Sequence, residues 1–477
     1  MNKLLKHIYV AACILLLGSA CNKYLDVKPE TKVAMEDAFA TEGGYMTQLN
    51  GVYLSMTSFD MYGGQLSMAI PDVLAQRYFQ GSTYTYRSLA TYSYTDKGAK
   101  DLLKGVWSDL YAQIANLNLI LDNIDRQQKI FSNDNYHLIK GEALALRTFL
   151  HFDVLRLYGP IYAGIDSSAV SVPYYSYHSL MARPYLPANQ LMDSLQSDIS
   201  KALVLLANDP VMKYGAIGDT SHTFTSFRKI RFNYYAAKTL QARMMLYRRD
   251  KAGALAAAKE VIAVQPSLFA FTDTKDASVK ADPSLLGDCV FQLQNIKLPD
   301  SYNLLFSYAQ QPTTLLAPRL DILNSIYSES SDVRIKSSVW NAPPDGSSSG
   351  KCLFKYAPIY FVNEQLNVMV PILRASECYL IAAEAAPDKA TGMQYLSTLR
   401  LARNTQAVLS TANLATELTR EYRREFYGEG QLFYYYKRLN TPSIPDQTVT
   451  TTNATIKMGR AQYVVPIPDE EKIVHQP

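Results

Sequence analysis

Metal-binding spacings are missing from this sequence. Its 477 residues include five cysteines and six histidines, yet they contain no Cys-x-x-Cys, His-x-x-x-His or His-Glu-x-x-His, which excludes a zinc centre of recognisable spacing. Charge of one sign is also lacking. With 47 basic against 43 acidic side chains and no long basic run, a dedicated nucleic-acid surface is excluded. Beyond the first twenty residues no apolar run is long enough to span a bilayer. Nucleophile and phosphate motifs fail on context. Gly346-Ser347-Ser348-Ser349-Gly350 has the letters of a nucleophile elbow, but Pro343-Pro344-Asp345 precede it and Lys351-Cys352 follow, so it reads as a solvated loop. Gly350-Lys351 lacks the spacing of a phosphate loop, and no Asp-rich stretch has calcium-ligand spacing. No pair of carboxylates is nominated for glycoside hydrolysis, because Glu142, Glu377 and Glu384 lie in core-like helical patterns. No cofactor is implied.

What is present begins with a processed N-terminus. Lys3 and Lys6 supply a positive region, Ile8 to Gly18 an apolar one, and Gly18-Ser19-Ala20 leads to Cys21. The arrangement resembles a bacterial lipobox, with Gly18 where Leu, Val or Ile is usual and Leu17 one position earlier. Cys21 is therefore the expected lipidation site and mature N-terminus, with ordinary secretion as the alternative. Cys289, Cys352 and Cys378 then remain, an odd number that leaves at least one reduced. A Cys289–Cys352 bridge stays open, and Cys378 reads as a small core residue.

Tyr136 to Tyr158 is the strongest helical signal. Ile139, Ala143, Leu146, Leu150, Val154 and Leu157 form one face, while Leu138, Ala145, Phe149 and Phe152 form a second. Glu142, Arg147, Asp153 and Arg156 interrupt it and need buried partners, and His151 is expected to be a hydrogen-bonded structural histidine. Further helices are expected from Glu36 to Phe59, Leu102 to Ile124, Leu191 to Leu206, Arg231 to Tyr247, Lys251 to Ala263, Val370 to Ala386, Lys389 to Ala402, and around Leu414 to Tyr422. Gly428 and Gly430 close the last of these. Arg77 to Lys97, Pro160 to Pro187 and residues 211–227 read as loops, Cys289 to Leu293 as a short strand, and Tyr463 to Pro468 as extended. Helix pairs at both ends of the chain, with irregular sequence between, predict a mainly α scaffold with tetratricopeptide-like geometry.

The 35 tyrosines against two tryptophans are the other unusual feature. Tyr84, Tyr86, Tyr92 and Tyr94 alternate in the first long loop, and Trp340-Asn341 opens a later one. A sugar has an apolar face and a polar rim, so loop aromatics with Asn or Arg beside them suit a glycan and also an extended peptide. The alternative for each ring is that it packs down as a loop anchor.

Several segments, taken in order, resemble the SusD/RagB family of outer-membrane nutrient-binding lipoproteins of Bacteroidetes-type bacteria. They are Cys21 with Tyr24-Leu25-Asp26; Trp107 to Asn118; Glu142-Ala143, Arg147 and Tyr158-Gly159-Pro160; Arg374 to Ala385; Arg420 to Phe426 with Gly428-Glu429-Gly430; and Pro466 to Glu471. The chain departs from the family's pattern in having Gln431-Leu432-Phe433 after Gly430 and Gln476-Pro477 at its close. The resemblance implies a lipoprotein signal peptide at 1–20, an N-terminal SusD-like helical region at 21–265, and a C-terminal SusD/RagB region at 266–477 on the same scaffold. It also implies a loop-rich ligand face with minor β structure, attachment to the outside of the outer membrane, and a SusC-like TonB-dependent transporter as partner. Function would be non-catalytic capture of oligosaccharide, with peptide as the alternative ligand and a surface glycosidase least favoured. The family's ligand loops correspond to residues 77–98 and 300–345. Within these windows Arg77, Tyr84, Tyr86, Tyr92, Tyr94, Tyr302, Trp340 and Asn341 are the candidate ligand contacts.

Overall fold

A computed structural model describes residues 37–162, 164–273, 282–342, 350–358 and 368–474. Cys21, the leader and residues 346–349 of the serine-rich stretch lie outside the described residues. The scaffold is a succession of helices, each packed on the next: α1 (Glu42–Met56), α2 (Lys97–Ile124), α3 (Asn135–Tyr158), α4 (Ala188–Leu205), α5 (Tyr234–Tyr247) and α6 (Lys251–Leu268). After an intervening region of loops and short elements, which includes α7 (Leu298–Leu305) and α8 (Leu320–Ile326), the succession resumes. There α9 (Ala375–Ala385) packs on α6, α10 (Lys389–Ala402) on α9, and α11 (Leu414–Glu425) on both; α12 (Leu432–Leu439) and the terminal α13 (Asp469–Val474) follow. This is a mainly α-helical scaffold of tetratricopeptide-like pairs. Helix α3 is buried on all sides between its neighbours, whereas α1, α2, α4 and α11 bury one face and expose the other.

Local sequence explains where the helices start. Asn233, Asp250, Asp388 and Asn413 each accept the backbone N–H three residues on with a side-chain oxygen, capping α5, α6, α10 and α11. Gly428 and Gly430 sit at φ of +72° and +69°, a left-handed conformation that favours glycine and turns the chain after α11.

The charges of α3 are paired as the sequence requires. Every residue from Gly141 to Tyr158 is buried. Glu142 meets Arg228 at 2.9 Å and accepts the Tyr53 hydroxyl at 2.7 Å, Arg147 reaches Asp198 at 2.6 Å, and Arg156 pairs with Asp153. His151 is neutral. Burial, seconded by the Arg147 cation, pulls it down to about 3, and it bonds the Arg147 carbonyl at 3.0 Å.

A second ionic core joins the C-terminal signature segments. Glu425 is contacted by Arg374 at 2.6 Å, Arg403 at 2.6 Å and Arg334 at 2.7 Å, and Glu429 takes a second bond from Arg374 at 2.9 Å. Glu377 and Glu384 are likewise held by Arg243 and Arg438, each at 2.6 Å. Cys289, Cys352 and Cys378 are all free and buried, so the bridge left open by sequence is not formed.

Strands are short and paired in antiparallel twos: β1 (Val170–Pro173) with β2 (Tyr185–Pro187), β3 (Cys289–Gln294) with β6 (Met369–Arg374), β4 (Trp340–Asn341) with β5 (Cys352–Leu353), and β7 (Ser443–Pro445) with β8 (Thr455–Lys457). Here the structure corrects the sequence reading. The helix expected from Val370 begins at Ala375, because Met369–Arg374 is drawn into a ladder with Leu293 opposite Val370 and Gln292 opposite Pro371. The stretch Pro160 to Pro187 contains the β1–β2 hairpin, and residues 211–227 begin within a helical turn, Pro210–Tyr214. Helix α12 is an addition that the sequence reading did not contain.

Candidate functional site

The two loop windows expected to carry ligand contacts come together. Thr85 N–H donates to the Thr313 carbonyl at 3.0 Å and Phe79 N–H to that of Ala317 at 2.9 Å, so residues 79–85 and 313–317 run as one seam. A third segment clamps them. Buried Gln447 donates to the carbonyls of Gln76 at 3.0 Å and Arg77 at 2.7 Å, and its own oxygen accepts Arg319 N–H at 2.9 Å. Arg87 spans the same junction, donating to Gln80 and Thr448 carbonyls at 2.6 and 2.7 Å. Nearly every bond here satisfies a backbone group of an irregular loop, which fixes its shape in place of a helix or ladder.

At the seam Tyr84 is partly exposed and meets the edge of partly exposed Phe79, ring centroids 5.4 Å apart at 83°. Gly81 makes this possible, since a Cβ there would stand 3.0 Å from the Tyr84 ring. Around this pair Ser82, Thr83, Thr85 and Gln311 are exposed, with Tyr308 on the same window at 42% exposure. The arrangement offers ring surface surrounded by hydroxyl and amide groups of no net charge. That chemistry suits a polyhydroxylated ligand with an apolar face.

The other candidate contacts have different positions. Tyr86 is buried with its hydroxyl 3.3 Å from Gln65, Tyr92 donates to the Leu74 carbonyl at 2.8 Å, and Tyr94 to that of Gln462 at 2.6 Å. Tyr302 is buried on α7 beside Phe354. Arg77 and Trp340 are brought together, but around a core ring. The Arg77 guanidinium lies 4.3 Å from the Tyr427 centroid, and Trp340, 1% exposed, meets the same ring edge-on at 4.8 Å. These side chains brace the loops from below. Asn341 is exposed on β4.

Gln447 and Arg87 were missed by sequence reasoning, and no local pattern marks them. The sequence signal that was available is the Phe79-Gln80-Gly81 step, where a glycine follows an aromatic at the loop's turn. Among the described residues no three His, Cys, Asp or Glu side chains gather as metal ligands, and no helix is long and apolar enough to cross a membrane.

Comparison with known proteins gives consistent results. Residues 23–246 match the SusD-like family described as starch-binding and associating with the outer membrane. A SusD-like protein of Formosa agariphila is 25% identical over 165 residues, covering 32% of this chain and 30% of that relative's length. Among solved structures, a SusD superfamily protein of Bacteroides thetaiotaomicron has a TM-score of 0.70 at 21% identity, covering 91% of this chain and 98% of the other. A SusD-like carbohydrate binding protein of Bacteroides vulgatus has a TM-score of 0.68 at 18% identity, covering 91% and 96%. At these identities the structural likeness speaks for fold alone. The match to the SusD-like family model thus covers the N-terminal region, residues 23–246, and the fold shared with these solved structures extends over nearly all of the chain.

Proposed function

We propose that this protein is a surface lipoprotein that captures oligosaccharide at the seam of residues 79–85 and 307–317 and passes it, uncut, to a SusC-like TonB-dependent outer-membrane transporter. The observation that supports this most is the partly exposed Phe79–Tyr84 pair, set among uncharged hydroxyl and amide groups on loops whose backbone is already pinned. Pinned loops lose little entropy when a ligand arrives, so modest ring contacts suffice for useful affinity. Tyr84 and Asn341 are the proposed contacts among the sequence candidates, with Arg77, Tyr86, Tyr92, Tyr94, Tyr302 and Trp340 as their supports. Binding without cleavage fits the carboxylates singled out in the sequence, since Glu142, Glu377 and Glu384 are each committed to an arginine. Lipidation at Cys21 would hold the protein at the membrane surface.

Calorimetric titration against plant, microbial and host glycans, with an oligopeptide pool alongside, tests the reading. Saturable glycan binding is expected, with Tyr84→Ala weakening it about tenfold, equivalent to ~1.4 kcal/mol. A signal from peptides alone would assign the same face to peptide capture.

A further inference from the structure

A hollow lies between α2 and the segment Tyr174–Ser179. It measures about 380 Å³, within the range of ~300–1,000 Å³ typical of small-molecule pockets. Trp107 and Tyr111 of α2 form one wall, with centroids 4.8 Å apart, and Tyr175 faces Tyr111 at 5.6 Å. Tyr177, 44% exposed, stands at the mouth. Ala112 and Ala115 keep the α2 side open, and Ser108, Asn118, His178, Ser179 and the carboxylate of Glu471 supply polar groups.

The Tyr174–Ser179 segment is irregular, yet its backbone is tied to helix side chains at Tyr175, Ser176 and His178. His151 Nε2 accepts Tyr175 N–H at 3.1 Å, and Asn118 donates to the Tyr175 carbonyl at 2.9 Å. Arg147 donates to the Ser176 carbonyl at 2.6 Å, Asp122 accepts His178 N–H at 2.9 Å, and the Tyr111 hydroxyl donates to Pro173 at 2.9 Å. Arg147 and His151 of α3, with Tyr111, Asn118 and Asp122 of α2, thus shape this wall. Two consequences follow. The rings are held in place before any ligand arrives. The Tyr175 N–H and carbonyl, the Ser176 carbonyl and the His178 N–H are already taken, so an extended peptide finds fewer main-chain partners here, and recognition falls to ring surface and side-chain polar groups.

We infer that this cleft is a second saccharide subsite, taking one or two neutral pyranose units against Tyr111, Tyr175 and Tyr177, separate from the seam at Tyr84. The inference rests on the saccharide reading of that seam, and the two are separable by mutation. Ala112→Trp fills the cleft from an exposed helix position without removing any hydrogen bond, and Tyr177→Ala removes the ring at its mouth.

The test is calorimetry with saturation-transfer NMR on the purified protein, using as probes malto-, cello-, laminari-, xylo- and mannohexaose, with a mixed hexapeptide pool as control. Wild type, Ala112→Trp, Tyr177→Ala and Tyr84→Ala are compared, with melting temperature as the check on folding. Two sites are expected for a bound hexaose. One should weaken about tenfold or more in Ala112→Trp and Tyr177→Ala, the other in Tyr84→Ala. Hexaose binding that survives Tyr84→Ala and is lost in both cleft variants supports the cleft, even if it displaces the seam reading. A single site abolished by Tyr84→Ala and untouched by both cleft variants overturns the cleft and leaves the seam standing. Hexapeptide binding at the cleft, or no binding of any hexaose, overturns it as well.

Discussion

Asp72 is sealed in the core, 3.7 Å from Arg77 Nε and accepting Gly428 N–H at 2.7 Å. Burial pushes its carboxyl up to about 6, with Arg77 opposing. An acid whose folded pKa exceeds its unfolded value favours the fold when protonated. Its contribution is therefore full below about pH 4 and is lost as the pH rises to about 6. Urea denaturation of Asp72→Asn across this window should lack a decline of up to ~3 kcal/mol carried by the wild type; an identical slope in both proteins would contradict the assignment. Glu425 has the opposite sign. Burial alone would raise it, but Arg403, Arg374 and Arg334 hold it well below the usual carboxylate range, so its stabilisation is present near neutrality and lost as pH falls through the acid range. Glu425→Ala leaves those guanidiniums facing one another and should cost about 3–5 kcal/mol by the same assay at pH 7. The pairing of Glu142, Arg147 and Asp153 was legible in sequence, because charges on a two-faced apolar helix have no other way to be buried. The burial of Tyr92 and Tyr94 was not legible. Alternating tyrosines look alike as platforms or anchors, and the carbonyls that decide between these roles belong to Leu74 and Gln462, the second far away in the chain.

The helices were readable as elements, since α2, α3, α5 and α6 carry their own period, and α5 and α6 also carry their own caps. The failure at Val370 has a physical cause. Val370-Pro371-Ile372 continues an apolar pattern into α9, but its backbone is claimed by β3, some eighty residues earlier. Non-local pairing of this kind leaves no local mark. The loops depend still more on distant partners. Gln447 ties Gln76, Arg77 and Arg319 in one side chain, and its replacement by Ala strands buried carbonyls that have no water to turn to. Gln447→Ala should lower stability by about 1–3 kcal/mol. It should also speed hydrogen exchange at residues 76–80 while leaving α5 and α6 unchanged. Uniform acceleration across the helices would show instead that Gln447 belongs to the global core.

As a whole the molecule joins two kinds of construction. A helical succession, stable because each pair lies between neighbours, carries loops whose shape is set by side chains bonding backbone. The scaffold and its likeness to SusD-like proteins were legible in the order of sequence segments, whereas the seam appeared only when residues 79–85 met 313–317. Attachment is tested separately: Cys21→Ala should move the protein from the membrane fraction to the soluble one, and unchanged fractionation would count against a lipid anchor at that position. The central claim is that the seam is where glycan is held. Hydrogen exchange followed by mass spectrometry, with and without a saturating glycan that binds in calorimetry, tests it most directly. Protection is expected at residues 79–87 and 307–317, and glycan binding that leaves both segments exchanging at their free rates would contradict it.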